Sequence, residues 1–207
     1  ATAIVMIHEI FGLSDWAREM ADELAAEGYI VVAPDLLSGA GPNGGGSDSF
    51  TNQGAVTKAV SMLPAEQVTA DLNAAVDYAA KIPSANGKVV VAGFCWGGGQ
   101  SFRFATDSQN IKAAFVFYGT PPQKPDDMAK IKCPVYGFYG GNDARVTVTV
   151  PKAAEAMRAA GKTYEPVIYD GAGHGFMRAG EAPDAPDANK KARDGAFQRW
   201  LDLMKKI

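Results

Sequence analysis

Only two cysteines and two histidines occur in the 207 residues. One cysteine pair cannot build a disulfide framework, and two histidines set far apart in the chain leave no Cys/His pattern for structural zinc. No apolar run approaches the roughly 18 residues that a membrane-spanning helix needs, which sets bilayer insertion aside. Basic residues are not in excess: 20 Lys and Arg face 23 Asp and Glu, for a formal charge of -3. They form no stripe able to follow a phosphate backbone, so nucleic acid is set aside as a partner. Internal repeats and heptads are missing as well. The chain opens at Ala1 directly on strand-like residues. A preceding amino-terminal segment is therefore expected, and the compartment stays open between the cytoplasm and the periplasm or exterior.

What is present is a 47% hydrophobic composition punctuated by 23 Gly and 12 Pro, suited to one globular α/β domain over residues 1–207. Residues 3–7 read as a buried strand, residues 16–26 as an amphipathic helix stopped by Gly28, and residues 29–34 as a second strand. Residues 38–50 are rich in Gly, Ser, Asp and Asn and predict a long loop, with a short helix near residues 56–62. The stretch 38–63 is the expected cap of a pocket. Helices are expected at 64–82, 97–105, 150–160 and 188–204, and strands at 88–92, 111–117, 134–138 and 164–169. Such βα alternation predicts an open, mostly parallel sheet with helices on both faces and a ligand site at the carboxyl ends of the strands.

The most informative segment is Gly93-Phe94-Cys95-Trp96-Gly97-Gly98, entered from Val89-Val90-Val91-Ala92. Small residues two before and two after Cys95 permit a strained strand-to-helix turn that lifts the thiol above the sheet, where free helix-terminal N–H groups favour a thiolate. Downstream come Asp143, in Gly140-Gly141-Asn142-Asp143, and His174, flanked by Gly173 and Gly175. Nucleophile, acid and histidine in that order is the order of an α/β-hydrolase triad. His174 is the expected base, and Asp143 fixes its tautomer. Asp170 is the rival acid, but four residues make a short route back to the same ring. The backbone N–H groups of Trp96 and Ile10 are the expected oxyanion donors. Cys133 begins a core-like run and reads as inert. His8 reads as a core histidine or a neighbour of the site.

These motifs, together with His8-Glu9-Ile10-Phe11-Gly12-Leu13 and Gly173-His174-Gly175-Phe176-Met177-Arg178, resemble the dienelactone hydrolase family of the α/β-hydrolase fold over nearly the whole chain. The resemblance implies opening of carboxylate-bearing enol-lactones by a cysteine triad, in soluble monomers without metal or organic cofactor. It implies that Glu9 switches Cys95 between sequestered and nucleophilic states, that Arg178 binds the substrate carboxylate, and that Phe11 and Tyr118 wall the pocket. One departure bears on substrate. Family members that degrade dienelactones add an arginine from the cap, whereas here no arginine lies between Arg18 and Arg103 and Lys58 is the basic residue of the expected cap. Lysine offers a mobile point charge instead of a rigid fork.

The expected function is therefore cysteine-dependent hydrolysis of a small lactone or ester through a thioester acyl-enzyme. Two alternatives stay open: a general carboxylesterase or thioesterase with another acyl preference, and a small-molecule binding protein on a hydrolase scaffold.

Overall fold

The structure, a computed structural model, describes residues 1–207. Six strands form one sheet: β1 (Ala3–Ile7), β2 (Ile30–Val32), β3 (Val89–Phe94), β4 (Ala114–Phe117), β5 (Val135–Gly140) and β6 (Tyr164–Tyr169). They lie in the order β2-β1-β3-β4-β5-β6, all parallel. The helices are α1 (Asp15–Ala26), α2 (Gln53–Ser61), α3 (Ala65–Lys81), α4 (Trp96–Asp107), α5 (Pro125–Met128), α6 (Ala144–Thr147), α7 (Val150–Ala159), α8 (Phe176–Ala179) and α9 (Asp187–Met204).

Side chains alternate faces along a strand, and both faces here are apolar. Ala3, Val5 and Ile7 of β1 join one core with Val68, Leu72 and Val76 of α3, Phe102 of α4 and Met157 of α7. Ile4 and Met6 join the other core with Met20 and Leu24 of α1 and Trp200 of α9. Trp200 is fully buried, with its ring centroid 4.8 Å from that of Phe117 and 5.9 Å from those of Phe94 and Phe115. The three layers expected from the βα alternation are thus in place.

Between β2 and α3 the glycine-rich segment is tied down. The Asp35 carboxylate accepts from the N–H groups of Leu37 and Ser47 and from the Ser47 hydroxyl, and Ser47 Oγ accepts from Leu13 N–H. Asn52 caps α2 through Ala55 N–H. Leu37, Val56 and Val60 then form a small apolar cluster packed against Ile10 and Trp96. The segment expected to cap a pocket sits on the two residues expected to bind an oxyanion.

After β1 the chain adds β2 on one side and β3 on the other. Crevices in open parallel sheets form where the order reverses in this way. The loop leaving β1 carries Glu9 and Ile10, and the turn leaving β3 carries Cys95 and Trp96.

Candidate active site

Cys95 has φ 58° and ψ -121°, a conformation that L-residues rarely adopt. Its N–H donates to Phe117 O at 3.0 Å, which locks the turn to β4. The flanking glycines are required by contact. A Cβ on Gly93 would overlap the Gly97 carbonyl, and one on Gly97 would overlap the carbonyls of Ile7 and His8. β1, β3 and α4 therefore meet backbone to backbone, and Cys95 is held at the crossing.

His174 Nδ1 lies 2.6 Å from Asp143 Oδ2. Asp143 leaves β5 and His174 the loop after β6, so two neighbouring strands bring the pair together. With Nδ1–H donated to the carboxylate, Nε2 is left for the thiol. The leading influence on His174 is the neighbouring Cys95 thiol, which raises its pKa. Burial opposes this, and Asp143 raises it further. The thiol and imidazole are nevertheless not aligned as a strict hydrogen bond, as is common before substrate binds. Asp170 makes no hydrogen bond or ion pair with the ring. Cys133, away from the site, has its thiol pushed up to about 11 by burial.

Ile10, Cys95, Trp96 and Tyr118 line a cleft of about 810 Å³. Neither the Ile10 nor the Trp96 N–H donates to any protein group. Tyr118, at φ 40° and 1% exposure, packs edge-on to His174 with centroids 5.1 Å apart. Burial holds its phenol neutral, reinforced by Glu9 and Cys95, and its buried hydroxyl has no well-formed partner.

Glu9 is 1% exposed and is bonded to Arg178, whose Nε donates to Oε1 at 3.0 Å. Its Oε2 is buried without a partner, and burial raises its pKa against the opposing pull of Arg178. The Arg178 guanidinium lies over the Phe11 ring, 5.2 Å from the centroid. Arg178 and Phe11, like His174, stand beside the residues that line this cleft, and Arg103, Lys124 and Arg145 are among its lining. The Arg103 fork is occupied by Gln100, Thr69, Asp107 and the Ala65 carbonyl. Lys124 and Arg145 carry no ion pair. Sequence reading missed this cationic wall. Its available signal was position, since the loop after β4 and the start of α6 both open at the carboxyl edge of the sheet. No cluster of three or more His, Cys, Asp or Glu side chains is placed to hold a metal ion.

The model of the dienelactone hydrolase family matches residues 1–207. The chain belongs to that family. Among dienelactone hydrolase relatives, a provisionally named carboxymethylenebutenolidase of Methylorubrum extorquens is 37% identical over 185 residues, covering 84% of this chain. The chain spans 62% of that relative, under two thirds of its length. A carboxymethylenebutenolidase of a Pseudomonas species is 31% identical over 216 residues, covering 99% of this chain and 84% of its own. The crystal structure of a provisionally named dienelactone hydrolase from Klebsiella pneumoniae matches with a TM-score of 0.84 at 29% identity, covering 99% of this chain and 87% of that one. An acylaminoacyl peptidase of Pyrococcus horikoshii, 14% identical with a TM-score of 0.71 and covering 99% of this chain and 37% of that one, shares the fold alone. The proteins it resembles over most of its length are named as dienelactone hydrolases and carboxymethylenebutenolidases.

Proposed function

We propose that this dienelactone hydrolase relative opens a small lactone or ester by covalent catalysis at Cys95. The observation that carries the reading is one arrangement: a cysteine held at φ 58° beside His174, the histidine held by Asp143, and two unused N–H groups on the same cleft. His174 accepts the thiol proton as sulfur attacks the ester carbonyl carbon, and the carbonyl electron pair moves onto oxygen between the N–H groups of Ile10 and Trp96. Collapse expels the alkoxide, which takes the proton from His174, and leaves a thioester on Cys95. His174 then deprotonates water for attack on that thioester, and the second collapse returns the thiol and releases the acid. Asp143 keeps the imidazole in one tautomer and supports its charged form.

Tyr118 walls the acyl site. Arg178 is the substrate-carboxylate group that the family pattern points to, and its Nη groups are free of protein partners. A substrate anion drawing Arg178 away would leave Glu9 buried with no partner at all. Lys124 and Arg145, which line the cleft and carry no ion pair, favour a second reading, a broader carboxylesterase or thioesterase whose acyl group meets them.

The test is intact-protein mass spectrometry during turnover of matched esters, enol-lactones and thioesters. Wild type should gain and lose one acyl mass per chain, located on Cys95. Cys95→Ala should gain none and lose turnover by at least about a thousandfold. Cys133 should stay unlabelled because burial keeps it a thiol. Full turnover by a folded Cys95→Ala protein would refute covalent catalysis.

A further inference from the structure

His8 is fully buried, yet both of its ring nitrogens are engaged. Leu36 N–H points at Nε2 from 3.2 Å, and Nδ1 lies 2.8 Å from the Glu9 carbonyl oxygen. An amide N–H can only donate and a carbonyl can only accept, so Nε2 carries the lone pair and Nδ1 the proton. The network itself thus selects one neutral tautomer. Burial acts in the same direction by disfavouring the charged ring.

The carbonyl that His8 grips belongs to the peptide whose N–H is that of Ile10. In a trans peptide these two groups point in opposite directions. Pulling the Glu9 carbonyl toward His8 therefore aims the Ile10 N–H the other way, on the residue that lines the cleft beside Cys95. Gly12 N–H adds a second hold on the same carbonyl, at 3.1 Å. The imidazole also stacks on the Trp96 indole, with centroids 5.7 Å apart and planes 17° from parallel. One side chain thus braces both residues whose N–H groups face a developing oxyanion. Through Leu36, next to the Asp35 that binds the loop over the cleft, it joins that brace to the cap.

We infer that His8 is a positioning residue that fixes the direction of the oxyanion-binding peptide through its Nδ1–H. The inference rests on the hydrolase reading above. His8 touches no substrate atom, so its effect belongs to the reaction that develops an oxyanion and not to the thiol itself.

Two reagents separate these effects. Acylation of Cys95 by 4-nitrophenyl acetate passes through a tetrahedral oxyanion and releases 4-nitrophenolate. Alkylation by iodoacetamide displaces iodide directly at carbon and builds no oxyanion. Removal of an oxyanion donor costs on the order of 100-fold or more. For His8→Ala, where the donor is misdirected instead of deleted, acylation should slow by about 10- to 100-fold. Alkylation should stay within about twofold of wild type, which also reports an intact elbow. The Asn amide nitrogen superposes on Nδ1, whereas a Gln side chain reaches the place of Nε2. His8→Asn should therefore retain most of the acylation rate, and His8→Gln should lose it as His8→Ala does. Unchanged acylation in His8→Ala, equal slowing of both reactions, or retention by Gln instead of Asn would overturn the role. A wild-type protein alkylated by iodoacetamide but acylated by no ester would overturn the hydrolase reading and this inference with it.

Discussion

At 1% exposure, with one oxygen on Arg178 and the other on nothing, the Glu9 carboxyl is stripped of water that the fold only partly replaces. Its pKa in the folded chain stands above the ordinary 4.5, with burial as the leading cause. The native state therefore holds this proton more tightly than the unfolded chain does. The group's contribution is most favourable below the ordinary pKa and declines as pH rises through the folded value. Glu9→Gln should match wild-type stability near about pH 4 and exceed it by on the order of 1 kcal/mol near about pH 8, because the neutral amide still accepts from Arg178. Urea unfolding at both pH values checks this. Lower stability of the Gln protein at the higher pH would show that the ion pair outweighs desolvation. Cys95, Asp143 and His174 were legible in the sequence because each stands in a glycine-bounded loop after an apolar run, a local signal. The Glu9–Arg178 pair joins residues far apart in the chain, and no local pattern announces it. His8 illustrates the same limit: its type was visible, but the direction of the peptide it grips was not.

The turn from β3 into α4 concentrates backbone strain on one residue. Positive φ costs an L-residue about 1 kcal/mol or more, and glycine far less. Cys95→Gly should accordingly melt higher than Cys95→Ala, by about 1 kcal/mol at the transition, as calorimetry would read. Equal melting would mean that neighbouring contacts absorb the strain. Longer elements emerged close to their expected bounds: residues 64–82 gave α3 at Ala65–Lys81, and residues 164–169 gave β6 at Tyr164–Tyr169. The strand expected over residues 111–117 begins only at Ala114. Ile111 is buried in the core before strand pairing starts, so its apolar character marked burial and not the ladder. The single-turn helices α5, α6 and α8 were not expected, since four residues hold too little periodicity to show. Lys124 stands just before α5 and Arg145 lies within α6, which explains why the cationic wall of the cleft stayed hidden too.

Across the whole molecule, Trp200 is the largest side chain that α9 sinks into the core, beside Ala192, Ala196, Leu201, Leu203 and Met204. Trp200 stands among Phe94, Phe115 and Phe117, while its indole N–H finds no partner. Trp200→Ala should lower stability by about 3–5 kcal/mol. Trp200→Phe, which keeps the aromatic contact and removes the unpaired donor, should cost less than about 2 kcal/mol. Denaturant midpoints of the two variants decide this, and equal losses would show that the indole's full shape is needed. The three-layer architecture could be read from alternating elements alone. Which strands become neighbours is fixed by packing between distant segments, so the adjacency of β5 and β6 under Asp143 and His174 had to come from the structure.

Strand order also sets a calendar for the growing chain. Beyond β1, strands β3, β4, β5 and β6 join the sheet at one advancing edge in the order in which they are synthesised. The thiol of Cys95 is thus laid down long before the imidazole of His174, and a nascent polypeptide carries the one without the other. Each partial sheet presents an open ladder until β6 arrives, and that last strand brings Pro166, which has no N–H to offer a further strand. Completion of the Cys95–His174–Asp143 grouping and closure of the adhesive border therefore fall on the same short stretch of chain.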